Sequence, residues 1–178
     1  MNAESAVEQA RQNIVHVVND AYTKADDAIR GKGDQLFSNA QIDPVFKYDS
    51  PYQQLESQLQ SNRIVLESLL GAWLLENITF TKNSDVEVSA ENTNIRLQKV
   101  KNFLDTLSLV VHSLINGALL TQTTLDGYKT DIATARTNVN TAITNIATAI
   151  EKLQDAEADL SLAEEELTLL LSGKTSEE

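Results

Sequence analysis

Seven residues in the last third of the chain, Leu125, Ile132, Val139, Ile146, Leu153, Leu160 and Leu167, recur at intervals of seven. Three positions after each stand Tyr128, Ala135, Ala142, Ala149, Ala156, Ala163 and Leu170. A paired apolar repeat sustained over seven heptads argues for one continuous helix with a coiled-coil-like seam. The spacing predicts a helix over about 123–172, opened by Thr123 with Asp126 three residues on and closed by Gly173 as a left-handed C-cap. At ~1.5 Å per residue it extends about 75 Å. Alanine at every interior position of the second stripe lets a neighbouring helix approach closely, while the larger residues fill the layers between. The outward residues Thr134, Thr137, Asn138, Thr141, Thr144, Asn145 and Thr148 are poor helix formers, so helicity there must come from tertiary contacts.

Three shorter helices precede this rod. Val7, Ile14, Ala21 and Ala28, flanked by Ala10, Val17, Val18 and Ala25, make one apolar stripe that ends at Gly31-Lys32-Gly33, predicting a helix over 3–31. The period is lost over the loop 32–50, where Asp43-Pro44 and Asp49-Ser50-Pro51 punctuate the chain. Leu36, Phe37, Ile42, Val45, Phe46 and Tyr48 remain apolar there and are expected to pack over the bundle end. Ser50, Pro51 and Gln53 combine a helix cap, a proline at the first helical position and a capping-box acceptor. From them Tyr52, Leu59, Leu66, Trp73 and Phe80 repeat by sevens, joined by Leu55, Leu69 and Leu70, which predicts a helix over 51–79. Ser84 with Glu87 offers another capping box, and Leu97, Leu104, Val111 and Ala118 with Val100, Leu107 and Leu114 form the seam of a helix over 85–116.

Short connections between amphipathic helices predict an all-α fold, a single domain over 1–178 built as an antiparallel up-down four-helix bundle with a long, coiled-coil-like C-terminal helix. The lengths do not match. The last helix outreaches its companions by about 20 residues, and its stripe continues there through Leu153, Ala156, Leu160, Ala163, Leu167 and Leu170, with nothing in this chain to cover it. An uncovered apolar stripe implies a partner helix, so the chain reads as a fragment of a longer protein or as one protomer of a homo-oligomer. The expected helix-pairing seam is Ile146, Ala149, Leu153, Ala156, Leu160, Ala163, Leu167 and Leu170. From Glu151 to Glu178 nine acids face only Lys152 and Lys174, a net of −7 within the chain's −12. This surplus argues against nucleic acid or a bare anionic membrane as partner.

Chemistry is not apparent. The chain has no cysteine, which excludes disulfides, thiolate metal sites and a cysteine nucleophile. His16 and His112 lack the spacing that sets two metal ligands on one helical face; His112 reads as a hydrogen-bonded structural residue and His16 as a surface partner of Asp20. Gly31-Lys32-Gly33 is too short to cradle phosphates, and no nucleophile elbow occurs. Asp26 with Asp27, and Glu164-Glu165-Glu166, lie on helices rather than in a loop whose oxygens converge on a cation. Trp73 and Phe80 belong to a seven-residue repeat and read as core, not as a ligand cage; Asn77-Ile78-Thr79 matches a glycosylation acceptor inside a helix. No catalytic, cofactor-binding or metal residues are therefore assigned, and the chain is expected not to be an enzyme. No run reaches the ~18 apolar residues of a membrane span, and MNAESAVEQARQ lacks the basic and apolar regions of a signal peptide, so the segment is expected to be soluble, without membrane insertion.

The stretch DIATARTNVNTAITNIATAIEKLQDAEADLSLAEEELTLLLSGKTS, Asp131 to Ser176, resembles the long helical hairpin of membrane-fusion proteins, the periplasmic adaptors of haemolysin-type (HlyD-like) secretion and tripartite efflux systems. The stretch DAYTKADDAIRGKGDQLFSN, Asp20 to Asn39, is similar to a region preceding that hairpin in a subset of bacterial adaptors. The resemblance implies a non-enzymatic, extracytoplasmic spacer, periplasmic or on the cell surface, whose helices pair within or between protomers and whose partners include transporter components. The family's lipoyl domain and β-barrel are absent, as expected of a fragment. The turn NGALLTQT, Asn116 to Thr123, lacks the arginine that channel-docking hairpin tips of the family carry, so the resemblance does not extend to that contact. The alternative reading is an extracytoplasmic four-helix sensory or ligand-binding module of a bacterial receptor, with a small molecule held between helices.

Overall fold

The computed structural model describes residues 2–175. Met1 and residues 176–178, the ends of the expected 1–178 domain, lie outside them. The chain is mostly helical: α1 (Ala3–Asp26), α2 (Gln53–Thr79), α3 (Val86–Ser113) and α4 (Gln122–Thr175) are its long elements. A π-helical turn, Asp27–Lys32, and a 3-10 turn, Gly33–Leu36, continue α1 and lead into a small antiparallel hairpin of β1 (Phe37–Ser38) and β2 (Val45–Phe46).

α1, α3 and α4 begin where a side chain accepts from an unpaired amide of the first turn, α2 does not, and three of the starts differ from expectation. At α2 the helix starts two residues late: Glu56, not Gln53, closes the box by accepting from the Ser50 amide at 2.8 Å, while the Ser50 hydroxyl accepts from the Tyr52 amide at 3.1 Å. At α3 the cap is Asp85, which accepts from the Val88 amide at 3.2 Å. A carboxylate suits the positive end of a helix better than the hydroxyl of Ser84, which instead accepts from the Thr81 amide. At α4 Thr121 rather than Thr123 accepts, from the Thr124 amide at 3.2 Å. The far ends shift as well. α3 stops at Ser113 because Leu114 turns to extended backbone, and Gly117 and Leu120 close the following turn as a bridge that leaves Ala118 exposed. α4 runs through Gly173 to Thr175 instead of ending there.

The core follows the sequence stripes. Leu125, Ile132, Ala135, Val139, Ala142, Ile146, Ala149, Leu153 and Ala156 of α4 are buried, and so are Ala10, Ile14, Val18, Ala21 and Ala25 of α1. These two alanine-rich helices make the most extensive helix pair; α3 packs on both, and α2 packs on α1 and α3. Methyl side chains on both faces are what permit such close approach. In the π-helical turn the consecutive residues Ala28 and Ile29 both lie in the core.

The expected structureless loop contains the hairpin. Asn39 turns it at φ 52°, a left-handed conformation that asparagine tolerates, and its carbonyl accepts from the amides of Ile42 and Asp43, both at 3.1 Å. Phe37 and Phe46 are cross-strand partners in edge-to-face contact, and Phe37 stacks on Phe103 of α3 with centroids 6.3 Å apart. Tyr48 reaches Tyr128 of α4, hydroxyl to hydroxyl at 3.1 Å. Leu36, Phe37 and Phe46 are buried as expected, but Ile42 and Val45 face solvent.

Candidate functional site

The α4 seam divides in two. Ile146, Ala149, Leu153 and Ala156 lie buried against helices of the same chain, so Leu153 and Ala156, expected among the uncovered residues, are covered. The reason is the reach of α1 and α3: Arg11 of α1 stands 4.0 Å from Glu157, and the buried Val86 and Ala90 carry the core into the first turns of α3. Leu160 is half-buried and Ala163 exposed. Leu167 and Leu170 are 57% and 66% exposed, and Leu162, Leu169 and Leu171 are similarly open. From Ala156 to Thr175 the helix continues for about 28 Å. The eight seam residues therefore form two sets: an inner one already partnered, and an arm in which Leu167 and Leu170 are exposed.

Two polar centres lie inside the bundle, both on residues that occupy apolar stripes. The first is Arg63, fully buried on α2 between Leu59 and Leu66. It donates to both carboxylate oxygens of Asp34, at 2.5 and 2.8 Å, and to Glu67 at 2.8 Å. Glu67 also accepts from Arg30 at 2.6 Å, and Arg30 binds Asp26 at 2.6 Å. Burial pushes the Glu67 carboxyl up, but hydrogen bonds from Arg30 and Arg63 outweigh it and hold the group below the usual carboxylate range. The arrangement ties the 3-10 and π-helical turns to α2, and a buried guanidinium so paired keeps its charge. Its chemistry is structural, since the acids are engaged by guanidinium groups.

The second centre lies between α2 and α3, where a cavity of about 190 Å³ is lined by Val18, Asn77, Phe80, Thr93, Arg96 and Glu76, among others. Arg96 donates to both oxygens of Glu76, at 2.7 and 2.6 Å, and sits over the ring of the fully buried Trp73 at 5.6 Å. Thr93 is 1% exposed. Its hydroxyl, the Asn77 side-chain nitrogen and the Trp73 indole nitrogen are buried with no hydrogen-bond partner among the described residues. Sequence reasoning singled out neither Arg63 nor Thr93. The available signal was a polar residue at a stripe position, four after Leu59 and three after Ala90 respectively.

Other expected features resolve simply. His112 is exposed at the end of α3 with its ring nitrogen 2.7 Å from the Ser108 carbonyl, and Asp20 pairs with Lys24 instead of His16. Trp73 is core, Phe80 is half-buried at the cavity, and Asn77 of the glycosylation-like triplet lines that cavity within α2. Among the described residues no helix is long and apolar enough to cross a membrane. Comparisons of the chain with protein-family models, with curated proteins and with solved structures return no match.

Proposed function

We propose that this chain is a non-enzymatic spacer and helix-pairing segment of an adaptor-like, extracytoplasmic export or efflux protein, arranged as an antiparallel up-down bundle. The arrangement is supported by the order of contacts. Along α4, Asp131 meets Gln35, Arg136 meets Asp105 and Glu157 meets Arg11, so α4 advances as its neighbours recede. Along α2, Glu67 meets Arg30 and Trp73 meets Tyr22 in the same opposed sense. The observation that carries the function is the arm: the heptad stripe that is buried up to Ala156 continues without interruption into exposed leucines. Apolar area of that kind is stabilised at about 25 cal/mol per Å² once covered, and a helix with this repeat is best covered by another helix. The partner is a helix of a neighbouring protomer, with transporter components beyond it.

The test is sedimentation velocity on the intact chain and on Leu167→Asp. The wild type self-associates, more strongly at high salt because screening relieves repulsion between the acidic arms. Leu167→Asp loses association with an unchanged melting temperature, since Leu167 lies outside the bundle core. A wild type that stays monomeric across concentration and salt overturns self-pairing. A second reading, the four-helix sensory or ligand-binding module, is favoured by one observation, the cavity between α2 and α3.

A further inference from the structure

We infer that the outer face of α2 is the seat of the α4 arm of a second copy of this chain, each protomer laying its arm along the other's α2. The inference rests on the reading of the arm as a helix-pairing segment and names the helix with which it pairs. α2 is apolar on both sides. Leu59, Leu66, Leu70 and Trp73 are buried where α2 packs on α1 and α3. On the other side Ser61, Ile64, Ser68, Gly71, Leu75 and Ile78 repeat the same alternating spacing of three and four. Of these, Ile64, Leu75 and Ile78 are 46%, 69% and 71% exposed, and a Cβ added at Gly71 would meet nothing within 4 Å. A helix that is apolar all round belongs inside a larger assembly. The charged residues of α2 leave this outer strip free. Arg63 is buried, Glu67 is held by Arg30 and Arg63, Glu76 by Arg96, and Glu56 by the Ser50 amide.

The arm fits this strip in charge, length and area. Its seam is flanked by Glu157 and Glu164 on one side and by Asp159 and Glu166 on the other, so two arms paired with each other would set acid against acid. The α2 strip carries no acid. Lys99, exposed on α3 in the groove beside Val65 and without an ion pair among the described residues, supplies a cation at its edge. From Ala156 to Thr175 the arm runs about 28 Å, and from Ser61 to Ile78 the strip runs about 26 Å. A strip of that length on a helix about 10 Å across covers on the order of 300 Å². One helix pair then buries on the order of 600 Å², too little for a specific interface, whereas two reciprocal pairs bury on the order of 1,200 Å², the lower bound of one. The fold makes reciprocity available, because α4 and α2 pack on opposite sides of α1 and α3 and run parallel in the up-down arrangement. A two-fold axis that sets two bundles end to end lays each arm antiparallel to the other's α2 and forms both contacts at once.

The experiment uses the absence of cysteine from the chain, which makes any introduced thiol the only one. Ile64→Cys and Leu170→Cys are prepared separately, mixed, and treated with a thiol cross-linker that spans the ~10 Å between packed helices. The mixture yields cross-linked dimers and neither variant alone does. Leu170→Cys cross-linking with itself means arm against arm, and Ile64→Cys cross-linking with itself means α2 against α2; either result overturns the inference. In sedimentation velocity Leu75→Asp, with the helical circular dichroism of the wild type, weakens self-association at least about tenfold. Ile115→Asp, at an exposed position in the turn after α3, leaves association unchanged. Undiminished association in Leu75→Asp, or an equal loss in Ile115→Asp, overturns the seat on α2 while the pairing role of the arm stands. A wild type that stays monomeric overturns both.

Discussion

At the scale of single residues, two side chains decide how this bundle responds to its surroundings. Glu67 and Asp105 are both held below the usual carboxylate range. Burial raises each, and hydrogen bonds from Arg30 and Arg63, or from Lys101 and Arg136, outweigh it. The unfolded chain therefore binds more protons than the folded one in mild acid, so stability rises with pH there. The contribution is complete above the ordinary carboxylate value near pH ~4.3 and is lost as pH falls through the lowered one. Thermal melts are thus expected to be nearly level from neutrality to about pH 5 and to decline below it. Glu67→Gln is less stable than the wild type at pH 7, and the gap narrows in acid; a gap that is constant with pH contradicts the assignment. Ala149 makes the same kind of point for packing. It is buried in the seam of α4, whereas Thr148 beside it is exposed. Ala149→Leu overpacks the seam and costs about 1–3 kcal/mol, while Thr148→Leu is neutral within about 0.5 kcal/mol. Denaturant melts of the two variants give the comparison, and equal shifts place the seam on the wrong face.

At the scale of elements, legibility tracked redundancy. α4 was readable because fourteen positions repeat the same statement, and one exception, Gly173, could not outvote them. Its helix continues past the glycine because αL geometry is available to glycine but not compulsory. Caps were readable only to within three residues, since Gln53, Ser84 and Thr123 each stand near a competing acceptor, and local geometry chose Glu56, Asp85 and Thr121 instead. The hairpin was hidden because two-residue strands carry no periodicity, and Asn39 becomes a turn signal only once the pairing of Phe37 with Phe46 is known. Arg63 and Thr93 were missed for another reason. A stripe is read by its apolar members, and a polar residue within it is passed over unless its partners, here Asp34 and Glu67 from different elements, are in view. One glycine offers a direct test at this scale. Gly71 lies within α2 with nothing within 4 Å of an added Cβ. Gly71→Ala should stabilise the chain by about 0.5–1 kcal/mol, read as a higher denaturant midpoint with an unchanged slope. A lower midpoint means that α2 is packed more tightly than it is drawn here.

At the scale of the whole molecule, the bundle and the arm share one helix, and this makes their mechanics inseparable. A helix of 54 residues with no proline is a stiff beam. A tilt of about 0.1 radian where α4 leaves the bundle displaces the far end by roughly 3 Å over its ~28 Å overhang. Load applied to the leucines at the tip is delivered as torque to the buried layers between α4 and its neighbours α1 and α3. The assembly that grips the tip therefore also sets the strain in the bundle, and the two cannot be tuned apart without breaking the rod that joins them.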